Sequence, residues 1–476
     1  GHTIETGGGW NYVDAYLTLD IDIDPELKAI VESRPRGSAI LESSLQLQNY
    51  GTGYLYLQDR IEIEEKLFSG ELGGLVTTNA MELGVDVGEL DAVIINGYPG
   101  SVASVRQQAG RAGRTRRPSI AVYLAHEDPL EQLLAREPAR LLGGNIESAV
   151  LNPCNENILS SQLRCAAFER PVALDELPAF CPSAEATAVS LEELGELRFS
   201  ADRFFYPSHT SPAPSVNIRG SDGEPVELVC QGEVVGEMEF WRALQYAHEG
   251  AVYLHRSEMY IVERLDLDGR RATMQSASPD YYTTPMVQSS VTTTVDLDEA
   301  ATDCGKILLA GLSVSSTVVG YRKMSSRGRE VLSEHELELP VQAYETVGTT
   351  FDIDLEDESI ASAVHGLEHL ARATGALLAG CDRRDLGSTW YSFSPSTFRP
   401  AAIVFDAVAG GMGFTETLFH RRDEWIEAMK YMISNCDCAE GCPSCLLSAS
   451  CESMNDLLSK PATESLIKTL ASGSSS

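Results

Sequence analysis

Thr77-Thr78-Asn79-Ala80-Met81-Glu82-Leu83-Gly84-Val85-Asp86-Val87, followed by Gln107-Gln108-Ala109-Gly110-Arg111-Ala112-Gly113-Arg114, are the stretches on which the reading of this chain turns. Arg111 and Arg114 stand three apart, each preceded by glycine. Two planar guanidinium forks at that spacing project into one cleft and suit triphosphate oxygens. A cation held there stabilises charge developing on a γ-phosphoryl group. Alone, the second stretch reads equally as an exposed basic turn, because Arg106, Arg111, Arg114, Arg116 and Arg117 occur with no acid between Ser101 and Ser119. The surroundings favour the first reading. An amphipathic helix over Asp59 to Phe68, apolar strands at Leu75 to Thr78, Ala92 to Ile95 and Ile120 to Leu124, and a helix from Ser101 alternate as in an α/β unit. Such alternation implies a parallel sheet, whose ligands sit at strand ends.

The two stretches resemble motifs V and VI of superfamily 2 helicases, and Tyr54 to Gly70 (YLYLQDRIEIEEKLFSG) resembles the segment before motif V. The resemblance implies that Gly84, Asp86 and Gly110 line the nucleotide, that Arg111 reaches its γ-phosphate and that Arg114 is the arginine finger. Gln107 matches the first glutamine of motif VI, while position 108 is glutamine where many helicases carry arginine. Thr77 and Thr78 match motif V threonines that lie near the DNA backbone. A working ATPase of this class also needs a phosphate loop ending Gly-Lys-Ser/Thr and an acidic Mg²⁺ motif. Neither is found. Gly7-Gly8-Gly9 has no following lysine, and Asp354-Leu355-Glu356-Asp357-Glu358 reads as a solvated loop. The chain is therefore expected to hold the second RecA domain only, to be inactive alone, and to bind ATP and Mg²⁺ when a first RecA domain is supplied, whether by a longer chain or by a separate polypeptide.

A second signal is Cys436-Asp437-Cys438-Ala439-Glu440-Gly441-Cys442-Pro443-Ser444-Cys445, with Cys451 beyond. Short spacings with glycine and proline between them let four thiolates close on one Zn²⁺. Five cysteines compete for four places: Cys438, Cys442 and Cys445 are common to each set, and Cys436 or Cys451 completes it. The rival readings are unliganded thiols and a redox pair at Cys442-x-x-Cys445. Soft ligands with no open position point to a structural ion. Because five of the 11 cysteines cluster, a metal in a reducing cytoplasm is favoured over a disulfide framework.

This tail also resembles a family. His365 to Leu386 (HGLEHLARATGALLAGCDRRDL), Ile403 to Phe414 (IVFDAVAGGMGF) and the cysteines resemble the C-terminal zinc-binding domain of MrfA/YprA-type DNA helicases, and Gly250 to Thr284 resembles the region preceding it. The resemblance implies 3′ to 5′ ATP-driven movement on single-stranded or 3′-tailed DNA, in repair. Inside it lies His365-Gly366-Leu367-Glu368-His369, the inverted zinc-peptidase pattern, with its histidines one helical turn apart. Gly366 weakens the helix such a site needs, so packing histidines are the preferred reading.

The expected architecture is α/β and multidomain. Residues 1–45 are unassigned, 46–148 form a second RecA-like helicase domain with a parallel sheet, and 149–203 form a winged-helix-like module. A β-rich domain over 204–335, a mixed α/β zinc-binding domain over 336–470 and a disordered tail over 471–476 complete it. Ser362 to Leu378 is expected as a helix with Val364, Leu367, Leu370, Ala371, Leu377 and Leu378 on one face and Thr374 interrupting. Tyr253, Tyr260, Tyr281 and Tyr282, near Arg264, Arg270 and Arg271, are either strand core or platforms for unpaired bases. Arg322 lies in a second basic run.

Charge bears on partners. There are 70 acidic residues against 36 basic ones, a net of −34, and only seven of the cations are lysine. Nucleic-acid binders are usually basic. An acidic, lysine-poor chain instead fits high intracellular salt, where self-repulsion is screened. Concentrated salt also weakens phosphate contacts, which leaves stacking to carry more of any DNA affinity. With 43% hydrophobic residues the chain should fold, and no apolar run approaches a membrane span. The chain opens on Gly1 with no secretory signal in residues 1–20, and is expected to be a cytoplasmic fragment.

Overall fold

The computed structural model describes residues 38–40, 65–67, 69, 71, 74–76, 90–113, 119–143, 146–216, 225–255, 258–326, 330–448, 451, 453 and 455–472. Thr77, Thr78, Gly84, Asp86 and Arg114 lie outside the described residues.

Parallel pairing defines the first part. Strand β1 (Ser38–Ile40) pairs with β2 (Gly74–Val76), so the unassigned N-terminal segment contributes a strand. Strand β3 (Ala92–Asn96) pairs in parallel with β4 (Ile120–Leu124), with helix α1 (Val102–Ala109) between them in sequence. Ser101 starts α1 by accepting the Ser104 N–H, one of the donors a first helical turn leaves free. Helix α2 (Pro129–Arg136) begins with Asp128 accepting from Leu130 and Glu131, and a short α3 (Ala139–Leu142) follows. Leu130 and Leu134, fully buried and one turn apart, pack with Ile95, Val102 and Val105. Leu133 points elsewhere, into the core of the C-terminal domain.

Residues beyond 150 form the winged-helix module. Helices α4 (Glu156–Glu169) and α5 (Ala184–Glu193) pack with a small sheet of β5 (Val172–Ala173), β6 (Arg198–Ser200) and β7 (Arg203–Phe205), ordered β5-β7-β6. Leu159, Leu163, Leu177, Leu191 and Phe204 are its core. Cys154 and Cys181 are joined by a disulfide, a pair that the expectation of a reducing cytoplasm did not anticipate.

A five-stranded sheet follows, ordered β10-β11-β12-β8-β9, from β8 (Val226–Cys230), β9 (Glu233–Met238), β10 (Val252–His255), β11 (Glu258–Asp266) and β12 (Arg271–Ser276), with helix α6 (Phe240–Tyr246) beside it. Strands β13 (Tyr281–Thr302) and β14 (Gly305–Ser325) then make a long hairpin with three register shifts in its pairing. Strand β14 also pairs with β15 (Val331–Glu336) and β16 (Gln342–Ile353), and β17 (Leu386–Tyr391) and β18 (Ala401–Asp406) complete one antiparallel sheet ordered β13-β14-β16-β18-β17. The boundary expected at residue 335 falls inside this sheet, because Gly305 to Ser316 ladder with Ile353 to Gln342.

Helices α7 (Ile360–Ala379), α8 (Phe414–His420), α9 (Arg422–Ser434) and α10 (Lys460–Ser472) share the sheet's core. Val364, Leu367, Leu370 and Ala371 are fully buried on α7, and Thr374 satisfies its hydroxyl on the Leu370 carbonyl at 2.7 Å. Gly366 has a packing reason: a Cβ there would collide with Thr463 Oγ1 of α10. Ala471 and Ser472 close α10 where the disordered tail was expected to begin.

The turn after β18 is held by Asp406. This fully buried carboxylate accepts from the backbone N–H groups of Met412, Gly413, Phe414 and Thr415 at 2.6 to 3.2 Å, and from Thr415 Oγ1 at 2.9 Å. Asp406→Ala strands those donors in the core, at an expected cost of about 3 kcal/mol or more. Urea denaturation checks this, and a loss under about 1 kcal/mol would mean the turn holds without its carboxylate.

Candidate nucleotide and zinc sites

The stretch that resembles motif VI occupies the exit of α1. Gln107 is exposed on that helix, Gly110 ends it by donating to the Arg106 carbonyl at 2.8 Å, and Arg111 is half-buried in the turn that follows. Ala112 bridges to Leu90, and Gly113, at φ +72°, donates to the Leu90 carbonyl at 3.1 Å. These bonds pin the turn at the N-terminal edge of β3. Arg106, one of the acid-free arginines, donates Nε to the Leu141 carbonyl at 3.0 Å and braces α3.

The cysteine cluster brings together Cys436, Cys438, Cys442 and Cys445. Sulfur pairs stand at 3.6 Å (Cys436–Cys438), 3.5 Å (Cys436–Cys442), 3.4 Å (Cys438–Cys445) and 3.8 Å (Cys442–Cys445). A tetrahedron of thiolates around Zn²⁺ has edges of about 3.8 Å. The four sulfurs fit a structural zinc ion closely. Burial pushes the Cys442 and Cys445 thiols up, so metal uptake must expel their protons and weakens as pH falls.

Lys460 was not singled out in the sequence. Only 6% exposed, it opens α10 and donates Nζ to the carbonyls of Cys436 and Cys438, the latter at 2.7 Å, with Cys438 Sγ at 3.6 Å. A tetrathiolate zinc centre carries net negative charge, and a buried ammonium offsets it. No motif marks this residue, although it is one of only seven lysines.

Cys451 lies elsewhere. Its Sγ is 3.3 Å from His365 Nε2, and the ligand atoms of His365, His369 and Cys451 all lie within 4.8 Å of one another. Its thiol is drawn down to about 5: burial pushes it up, but hydrogen bonds from His365 and His369, Ser453 and the Asn455 N–H outweigh that. Glu368 accepts from Ser388 Oγ. His365 is fully buried and His369 and Glu368 are 8% exposed, which leaves a peptide little access to the H-x-x-E-H residues.

Of the residues considered for DNA, Tyr253 and Tyr260 are core, at 1% and 5% exposure. Tyr281 and Tyr282 are half-buried at the start of β13, and Lys323 Nζ sits 4.7 Å from the Tyr281 ring centroid. Arg322 pairs with Glu334 of β15 at 2.7 Å, so an acid does reach this basic run. Among the described residues no helix is long and apolar enough to cross a membrane.

The domains are also bonded to one another. Arg383 Nη1 meets Asp128 Oδ2 at 2.6 Å, and Arg136 donates to the Asn435 carbonyl at 2.8 Å. Asn155, 1% exposed, caps α4 through Oδ1 while its Nδ2 donates to the carbonyls of Ala409 and Gly411, each at 2.8 Å.

Three known families match in order along the chain: the helicase conserved C-terminal domain over residues 29–116, the winged helix domain of the ATP-dependent helicase HRQ1 over 151–221, and the MrfA Zn-binding domain over 367–446. The uncharacterized ATP-dependent helicase YprA of Bacillus subtilis is 32% identical over 413 residues, covering 84% of this chain and 54% of that protein. The crystal structure of the DUF1998 helicase MrfA bound to DNA aligns with a TM-score of 0.59 at 30% identity, covering 88% of this chain and 56% of that one. Its complex with DNA and AMPPNP aligns at 0.57 and 29%, covering 87% and 55%. A helicase C-terminal domain followed by a winged-helix domain and a zinc-binding domain defines a superfamily 2 helicase architecture. Within that class the chain belongs to the MrfA/YprA-type helicases. It spans about half the length of these relatives.

Proposed function

We propose that the chain is the C-terminal part of an ATP-dependent DNA helicase that moves 3′ to 5′ along single-stranded or 3′-tailed DNA in repair. One observation carries this reading: the match, over 88% of the chain, to the structure of MrfA bound to DNA. In it, Arg111 and Arg114 complete an ATP–Mg²⁺ site from across a cleft, beside Gln107, Gly84, Asp86 and Gly110, once a first RecA domain supplies the phosphate loop. Thr77 and Thr78 follow the DNA backbone, Tyr281 and Tyr282 stack bases, and Arg322 exchanges Glu334 for a phosphate. The acidic remainder is adaptation to a salty cytoplasm.

The test joins the chain to a first RecA domain and measures ATP turnover with and without single-stranded DNA at high salt. DNA-stimulated turnover with unwinding of 3′-tailed duplexes is expected. Single-strand binding that ATP leaves unchanged, with no turnover, would replace this reading by a non-enzymatic DNA-binding scaffold.

A further inference from the structure

We propose that His365, His369 and Cys451 hold a second transition-metal ion of the zinc class, separate from the ion of the four cysteines. The two histidines lie one turn apart on α7, their ring centroids 4.7 Å apart. Cys451 comes to them from beyond the cysteine cluster. Imidazole nitrogen and thiolate sulfur on one tetrahedral Zn²⁺ stand about 3.5 Å apart. The observed 3.3 Å between His365 Nε2 and Cys451 Sγ is close to that spacing.

His369 is oriented as a ligand is. It donates Nδ1–H to the Leu446 carbonyl at 2.8 Å, so Nε2, 3.5 Å from Glu368 Oε2, is the nitrogen left to serve as a ligand. A ligating histidine is commonly fixed in this way, by a carbonyl on its other nitrogen. His365 stacks on Trp390 with centroids 4.6 Å apart and planes inclined 15°, so its ring cannot swing away without losing that contact.

Charge favours an ion over a bare hydrogen-bonded trio. His365 is fully buried and His369 nearly so, and Glu368 Oε2 stands 3.5 Å from His369 Nε2, so the trio lies out of water beside a carboxylate that a cation would offset. A divalent cation there would be bound by all three donor atoms and would offset the carboxylate beside them. Two imidazoles and one thiolate select zinc-class ions over Mg²⁺ or Ca²⁺, which prefer oxygen. The fourth position would take water. Leu446 follows Cys445 directly in sequence, so one short backbone segment would serve both metals.

The experiment uses the full chain purified in the presence of zinc, with zinc counted by elemental analysis and its neighbours read by X-ray absorption at the zinc edge. About two zinc ions per chain with mixed nitrogen and sulfur scattering are expected. Cys451→Ser should then drop the count to about one with sulfur neighbours only, and Cys442→Ser should enrich nitrogen scattering. About one zinc in the unmodified chain, surrounded by sulfur alone, would overturn the proposal whatever the variants do. It would leave the four-cysteine site intact and make the trio a thiolate–imidazole hydrogen-bond network.

Discussion

Arg114→Ala, in a chain completed with a first RecA domain, is expected to lower ATP turnover by about 10³-fold or more while single-stranded DNA still binds. That loss is about 4 kcal/mol of transition-state stabilisation. In the proposed role the guanidinium would meet charge that grows only as the γ-phosphoryl group departs, which is why the expected loss is large. Arg114→Lys should recover little, since an ammonium does not reproduce the planar fork. Arg111→Ala should follow the same course. The internal control is Arg106, bonded to the Leu141 carbonyl: Arg106→Ala should lower the melting temperature and spare turnover per folded molecule. Turnover near normal in Arg114→Ala would remove motif VI from the mechanism.

Cys442→Ser, or stripping of the four-cysteine ion, is expected to destabilise the C-terminal domain by several kcal/mol, lowering its melting temperature by roughly 10 °C. The cluster is part of the core: Cys445 and Leu446 are fully buried, beside Trp425, Met429 and Ile433. It also seats α10, because Lys460 bridges the first turn of that helix to the carbonyls of Cys436 and Cys438. Once the thiolates part, those carbonyls move and the helix loses its anchor. Hydrogen exchange should therefore show α10 opening together with residues 436–446. An unchanged melting curve after complete loss of zinc would make the cluster peripheral.

Local pattern carried the sequence reading where it succeeded. The strand at Ile120–Leu124, the helix begun at Ser101 and the helical span of α7 each follow from residues a few positions apart, although α7 is buried all round from Ala363 to Ala371 and not on one face alone. What stayed illegible is pairing at a distance. Spacing allowed either Cys436 or Cys451 beside Cys438, Cys442 and Cys445. Only the fold, by bringing α7 across the segment after Cys445, sets Cys451 against His365 and His369. The ladder from Gly305 to Ile353 likewise joins residues that alternate well enough to belong to separate sheets. Lys460 and Asp406 look like surface residues until the carbonyls and N–H groups they serve are placed around them.

Helix α2 puts Leu130 and Leu134 into one core and Leu133 into another, and Arg383 and Arg136 bolt its two ends to the C-terminal domain. A helix seated in two cores cannot roll within either without opening a void in the other. It behaves as a welded joint where a hinge would otherwise sit. If nucleotide draws the motif VI turn toward a partner domain, the zinc-bearing end must sweep with it as a stiff arm, and a small rotation at Arg111 becomes a larger displacement at the far end of the molecule.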